Sequence, residues 1–206
     1  MLETALPTIK LETLSYLQSL IIIVFLTKRP AFGKLLPMNK SDIKIIFHYL
    51  SDKECDEIIS IIDTFDKNKQ LQFFSANNEV LIAPETKEVN IYLSKITDTI
   101  KNLFSDNGAF LAEGFFSFWR KGAKAGAHID NHEGYKNLKY SSIIYLNDNY
   151  EGGEIQFPEL KFSYKAKKGD GIFFPCSEPE HKHLVTEVTE GARYTIASWY
   201  YSESEK

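Results

Sequence analysis

Residues 141–164 read SSIIYLNDNYEGGEIQFPELKFSY. Three short runs rich in Ile, Tyr and Phe, at Ser142–Leu146, Glu154–Phe157 and Phe162–Tyr164, are separated by Asn, Asp, Gly and Pro. Branched and aromatic side chains suit a pleated, half-buried surface, and the small polar residues between them supply turns. The runs are therefore expected to be strands. Outward from this stretch, Phe115–Trp119, Gly171–Phe174, Leu184–Val188 and Arg193–Tyr200 have the same character. Seven or eight short strands in roughly 90 residues predict a β-sandwich or jelly roll.

The preceding residues have a different period. In FHYLSDKECDEIISIIDTF (47–65), Ser51 can cap a helix with Glu54 completing a capping box, and Ile58, Ile59, Ile62 and Phe65 recur at helical spacing. Val89–Phe104 is expected to be a second amphipathic helix, with Ile91, Ile96, Ile100 and Leu103 on or near one face. Residues 66–85 are expected to be irregular. The expected fold class is α+β, a β-rich core with two helices buttressing one sheet.

The chain has 206 residues and a net charge of −4, enough for one domain and without the basic field that nucleic-acid binding needs. Cys55 and Cys176 fit no metal-ribbon spacing and read as free thiols in a reducing compartment, which points to the cytoplasm. Leu14–Leu26 (LSYLQSLIIIVFL) is almost wholly apolar, but its 13 residues fall short of the roughly 20 of a membrane helix. The expectation is a buried helix, with membrane contact through residues 14–26 as the alternative. Pro30, Gly33 and Pro37 predict a boundary near residue 40, between an apolar helical extension (1–40) and the main domain (41–206).

The chemistry is carried by a few residues. His128 and Asp130 lie two apart, so on a strand they share a face. His183 can add a second imidazole. Two histidines and one carboxylate occupy one face of an octahedral iron and leave three positions open for oxygen chemistry. Arg193 follows ten residues after His183 near the start of the last strand, where a guanidinium can clamp a carboxylate through two parallel hydrogen bonds.

Six segments, in order, extend the pattern: FHYLSDKECDEII (47–59), WRKGAKAGAHIDN (119–131), SSIIYLND (141–148), GGEIQFPEL (152–160), KKGDGIFFP (167–175) and HKHLVTEVTEGARYTIASWY (181–200). Together they resemble the prolyl 4-hydroxylase-type branch of the 2-oxoglutarate/Fe(II) dioxygenases, from about Ile43 to Tyr201. The resemblance implies a double-stranded β-helix (jelly-roll) core. It implies metal ligation by His128, Asp130 and His183, and a 2-oxoglutarate anchor at Arg193 assisted by Tyr145. It further implies iron(II), 2-oxoglutarate and ascorbate as cofactors, and dioxygen and a protein or peptide as partners, with peptidyl proline the foremost substrate. Gly152 and Gly153 fall on the family's paired turn glycines. Two positions depart from the pattern: Trp119 stands where a tyrosine is common, and Glu187 where a proline is usual.

His181 competes with His183, but the spacing to Gly191 and Arg193 favours His183. His132 is expected to face solvent and His48 to be structural. Arg120, Lys121 and Lys124 read as a solvated loop or a rim that prefers acidic neighbours. Lys165, Lys167 and Lys168 read as an exposed turn. A same-family oxygenase with another substrate, a zinc hydrolase and a non-catalytic binding module are the competing readings. Hydrolysis would give Arg193 and Tyr145 no role.

Overall fold

The computed structural model describes residues 35–37, 43–74, 80–131 and 136–203. Along the chain come β1 (Leu35–Pro37), β2 (Lys44–Ile46), α1 (Asp52–Lys67), β3 (Gln72–Phe73), β4 (Val80–Ile82), α2 (Lys87–Phe104) and β5 (Ala109–Trp119). Then follow β6 (Ala125–His128), β7 (Leu138–Tyr145), β8 (Glu151–Gly152), β9 (Ile155–Phe157), β10 (Phe162–Tyr164) and β11 (Gly171–Pro175). A 3₁₀ turn at Pro179–His181 leads into β12 (His183–Val185), β13 (Val188–Glu190) and β14 (Arg193–Ser202).

The strands form an antiparallel sheet in the order β1-β2-β11-β7-β14-β5-β4-β3, a four-stranded sheet β10-β9-β12-β6, and the pair β13-β8. The period-2 alternation of side chains explains why the large sheet is buried on both faces. Phe116, Ile144, Ile196 and Tyr200 point to the helices and join one core with Ile58, Ile62, Leu93 and Ile100. Residues of opposite parity point to the second sheet. There Tyr145, Ile155, Phe157, Ile172 and Phe174 form the other core.

The helices dock as their sequences dictate. Ser51 caps α1 by a reciprocal box, with Glu54 N–H donating to Ser51 Oγ at 3.3 Å and Ser51 N–H donating to Glu54 Oε2 at 2.8 Å. Helix α1 then buries Cys55, Ile58 and Ile62. In α2 the buried stripe is Val89, Leu93, Ile96 and Ile100. Ile91 lies off this stripe and is 58% exposed, which corrects the expected face. It sits two residues before Leu93, roughly 200° around the helix axis. Ile100 is fully buried under the large sheet. Ile100→Ala should lower unfolding free energy by about 2–5 kcal/mol, read from urea denaturation. A loss below about 1 kcal/mol would contradict the packing.

Two further differences from the sequence expectation have physical causes. Residues 66–85 contain β3 and β4, which are only two and three residues long and lie at one end of the sheet. The run Leu184–Val188 splits into β12 and β13, which pair with different strands. Strand β1 pairs with β2, with Leu35 opposite Ile46. The apolar segment 14–26 lies outside the described residues. Among the described residues, no helix is long and apolar enough to cross a membrane.

Candidate active site

His128 closes β6, His183 opens β12, and the antiparallel register sets them directly opposite each other. Asp130 lies beyond the end of β6, so a bend, not strand alternation, brings its carboxylate back. Ser141 on β7, in the facing sheet, holds it there: Ser141 Oγ donates to Asp130 Oδ2 at 2.5 Å. Asp130 Oδ1 is 3.2 Å from His128 Nε2, and Oδ2 is 3.8 Å from His183 Nε2. Ligand atoms of the three residues all lie within 4.8 Å of one another.

Both imidazoles are oriented from behind. His128 Nδ1 is 2.7 Å from the Gly126 carbonyl oxygen, and His183 Nδ1 is 3.0 Å from that of His181. A proton on each Nδ1, donated to these carbonyls, leaves Nε2 bare and turned inward. His181 thus contributes its carbonyl, while the His183 ring enters the cluster. His132 lies outside the described residues. His48 has φ 51° and donates its backbone N–H to Asp170 Oδ1, a structural role.

Burial opposes charge on Asp130, but hydrogen bonding to His128, the charge of His183 and the Ser141 hydroxyl together hold its pKa below the usual value. The hydrogen bond to Asp130 raises the His128 pKa, whereas burial lowers that of His183.

The cluster opens into a cleft of about 110 Å³. Phe74, Phe115 and Trp199 form an aromatic wall on one side, and Arg193 lines the same cleft. Phe74 packs on Phe115 and Trp199 with ring centroids 4.9 and 6.5 Å apart. Arg193 is 1% exposed, yet its Nε and one terminal nitrogen have no hydrogen-bond partner, nor has the buried Tyr145 hydroxyl. A guanidinium stays charged in any protein environment, and a buried charge without a counter-ion is costly. An anion would supply the missing partner. Burial pushes the Tyr145 phenol up to about 12, so it remains a proton donor beside that charge.

The turn glycines back this anchor. A Cβ on Gly153 (φ 64°) would sit 2.9 Å from Arg193 Cδ, and one on Gly152 (φ 72°) only 1.8 Å from the Glu187 carbonyl oxygen. Glu187 uses its carbonyl to accept from Gly153 N–H, and its carboxylate meets Lys124 at 3.2 Å. Arg120 meets Asp66 at 3.0 Å, so two members of the basic cluster already have acidic partners. Lys165, Lys167 and Lys168 likewise pair with Glu151, Asp148 and Asp56.

Residues 114–201 match the family model described as the 2OG-Fe(II) oxygenase superfamily. This segment is similar to that superfamily. Human prolyl 3-hydroxylase 2 is 41% identical over 66 residues, covering 30% of this chain and 9% of that protein. The chain therefore spans only about a tenth of the prolyl 3-hydroxylases it matches. A putative prolyl 4-hydroxylase of Acanthamoeba polyphaga mimivirus is 31% identical over 65 residues, 28% of this chain and 27% of that one. In fold, the chain is similar to a Pseudomonas putida prolyl-4-hydroxylase (TM-score 0.64, 16% identity, 80% of this chain and 95% of that one). It is likewise similar to the viral collagen prolyl hydroxylase of Paramecium Bursaria Chlorella virus-1 in its 2OG complex (TM-score 0.61, 21% identity, 80% and 97%).

Iron(II) and 2-oxoglutarate follow from the superfamily, and the residues present fit both. Donors about 2.1 Å from an octahedral ion stand about 3 Å apart when adjacent. The separations of 3.2 and 3.8 Å need only a small adjustment. The unpartnered nitrogens of Arg193 and the Tyr145 hydroxyl suit the far carboxylate of the oxoacid.

Protons and metal compete for His128. Its raised pKa means that the His128–Asp130 pair stabilises the metal-free fold below the ring's ordinary value, while Asp130 stays ionised, and loses that contribution as pH rises through the folded value. Metal binding needs the deprotonated ring, so it is favoured above that value. The rise in Tm caused by Mn(II) should be full at about pH 8 and shrink by about pH 6. A larger rise at the lower pH would contradict ligation by His128.

Proposed function

We propose that this chain is an iron(II)- and 2-oxoglutarate-dependent dioxygenase that hydroxylates a C–H bond of a peptidyl proline. The observation that carries the reading is one cleft holding both the His128–Asp130–His183 cluster and the buried Arg193, two of whose nitrogens have no hydrogen-bond partner. A zinc hydrolase would leave Arg193 and Tyr145 without work. The prolyl substrate is supported by the named relatives: prolyl 3- and 4-hydroxylases by sequence, and by fold a Trichoplax adhaerens prolyl hydroxylase bound to a hypoxia inducible factor peptide fragment.

In this reading His128, Asp130 and His183 would hold the metal, with the carbonyls of Gly126 and His181 fixing the two rings. Ser141 keeps the Asp130 carboxylate turned inward. Arg193 and Tyr145 would orient 2-oxoglutarate by its C5 carboxylate. Phe74, Phe115 and Trp199 receive the substrate and exclude water from the reacting carbon. When bound, iron(II) and 2-oxoglutarate supply the oxidation, in which dioxygen, the oxoacid and a substrate C–H become succinate, carbon dioxide and C–OH. Ascorbate would keep the metal divalent. The free, buried thiols of Cys55 and Cys176 support a reducing compartment, the cytoplasm.

Mass spectrometry of proline-rich peptides, after incubation with the full chain, Fe(II), 2-oxoglutarate and ascorbate, tests the substrate class. A gain of one oxygen atom on proline is expected. Turnover of 2-oxoglutarate with every proline unmodified would shift the substrate to another amino acid or a small molecule.

A further inference from the structure

Trp119 and Arg193 are directly opposite each other in the β5–β14 ladder, and so are the next inward-facing residues, Ser117 and Thr195. The Arg193 Cζ lies 4.7 Å from the centroid of the Trp119 ring and 5.0 Å from that of Tyr145. The guanidinium is thus held against two aromatic faces. Contacts to its faces leave the N–H groups on its edge to take a ligand, and two of those nitrogens are unpartnered.

The indole is itself anchored. Its Nε1–H donates to Ser117 Oγ at 3.2 Å, and Ser117 Oγ is 2.6 Å from Thr195 Oγ1. The ring's one polar hydrogen is therefore already engaged by Ser117 within the ladder. Only its face is offered to Arg193.

We infer that Trp119 is a positioning residue. Its ring, pinned through Ser117 and Thr195, sets the plane of the Arg193 guanidinium so that the fork meets a carboxylate edge-on. Trp119 thereby acts on the anionic co-substrate through Arg193, without a hydrogen bond of its own to it. This rests on the reading of Arg193 as the 2-oxoglutarate anchor. An arginine already fixed in its binding geometry loses less freedom on meeting its ligand, and immobilising one such side chain is worth roughly 2- to 10-fold in affinity.

The test is a double-mutant cycle read by calorimetric titration of 2-oxoglutarate into the Mn(II)-loaded full chain. Trp119→Leu should weaken binding about 5- to 10-fold, and Trp119→Phe, which keeps a planar face, less than about 3-fold. In the Arg193→Lys background, where no fork remains to be aligned, Trp119→Leu should change the affinity less than about 2-fold. Mn(II) affinity should stay at the wild-type level in the Trp119 variants, which separates positioning from general damage to the fold. Equal binding by wild type and Trp119→Leu overturns the inference and leaves the dioxygenase reading intact. So does the same Trp119→Leu loss in both backgrounds, or a loss in Trp119→Phe as large as in Trp119→Leu. Failure of the wild type to bind 2-oxoglutarate overturns both.

Discussion

Asp130→Ala is expected to abolish metal-dependent turnover and to weaken Mn(II) binding by more than roughly 100-fold. Losing a residue that merely orients a metal ligand typically costs about 10- to 100-fold. Asp130 would be a ligand itself and the only anionic one in the cluster, so its loss should cost more. The remaining two imidazoles offer no charge to offset the metal. Ser141, buried in the facing sheet, would also lose its acceptor. Titration of Mn(II) by calorimetry reads the affinity directly, and succinate release reads turnover. Wild-type Mn(II) affinity in Asp130→Ala would remove Asp130 from the metal site.

The second large effect belongs to Arg193. Removing one partner of a buried, hydrogen-bonded charge pair costs about 2–5 kcal/mol. Arg193→Ala should therefore raise the 2-oxoglutarate KM by roughly 30-fold to several thousand-fold. Because the C5 carboxylate is remote from the reacting atoms, kcat at saturating co-substrate should fall far less. Stability should move the other way. In the ligand-free protein Arg193 is a buried cation with unpartnered nitrogens. Arg193→Met, which fills much of the same space without charge, should leave the apo-protein no less stable. A KM unchanged in Arg193→Ala would place the oxoacid elsewhere.

Much of this architecture was legible in the sequence because it depends on local period. Ser51 and Glu54 announce the start of α1, and the Gly-punctuated aromatic runs announce β7, β9, β10, β11 and β14. The candidate site was legible as spacing: an HxD pair, then a histidine ten residues before an arginine. What the sequence hid is what tertiary pairing decides. The AGAH stretch of β6 has no branched or large aromatic residue to mark it as a strand, and it is ordered by pairing with β12. Asp130 joins His128 by a bend, although strand alternation was the reason for pairing them. Ser141 as the partner of Asp130, and Trp119 as the bed of Arg193, were not visible as such. Their signal lay in alternation from known neighbours: Ser141 shares a face with Tyr145 on β7, and Trp119 stands across the ladder from Arg193. The aromatic wall was missed because Phe74, Phe115 and Trp199 come from separate stretches that only the folded sheet brings together.

The most direct measurement is succinate formation from 2-oxoglutarate by the full chain, purified anaerobically and supplied with Fe(II), ascorbate and air, with His183→Ala as the control. Succinate that requires Fe(II) and disappears in His183→Ala is the expected result, whether or not a proline-rich peptide stimulates it. No succinate from iron-loaded wild-type protein with any peptide, or equal succinate from His183→Ala, would contradict a dioxygenase built on His128, Asp130 and His183.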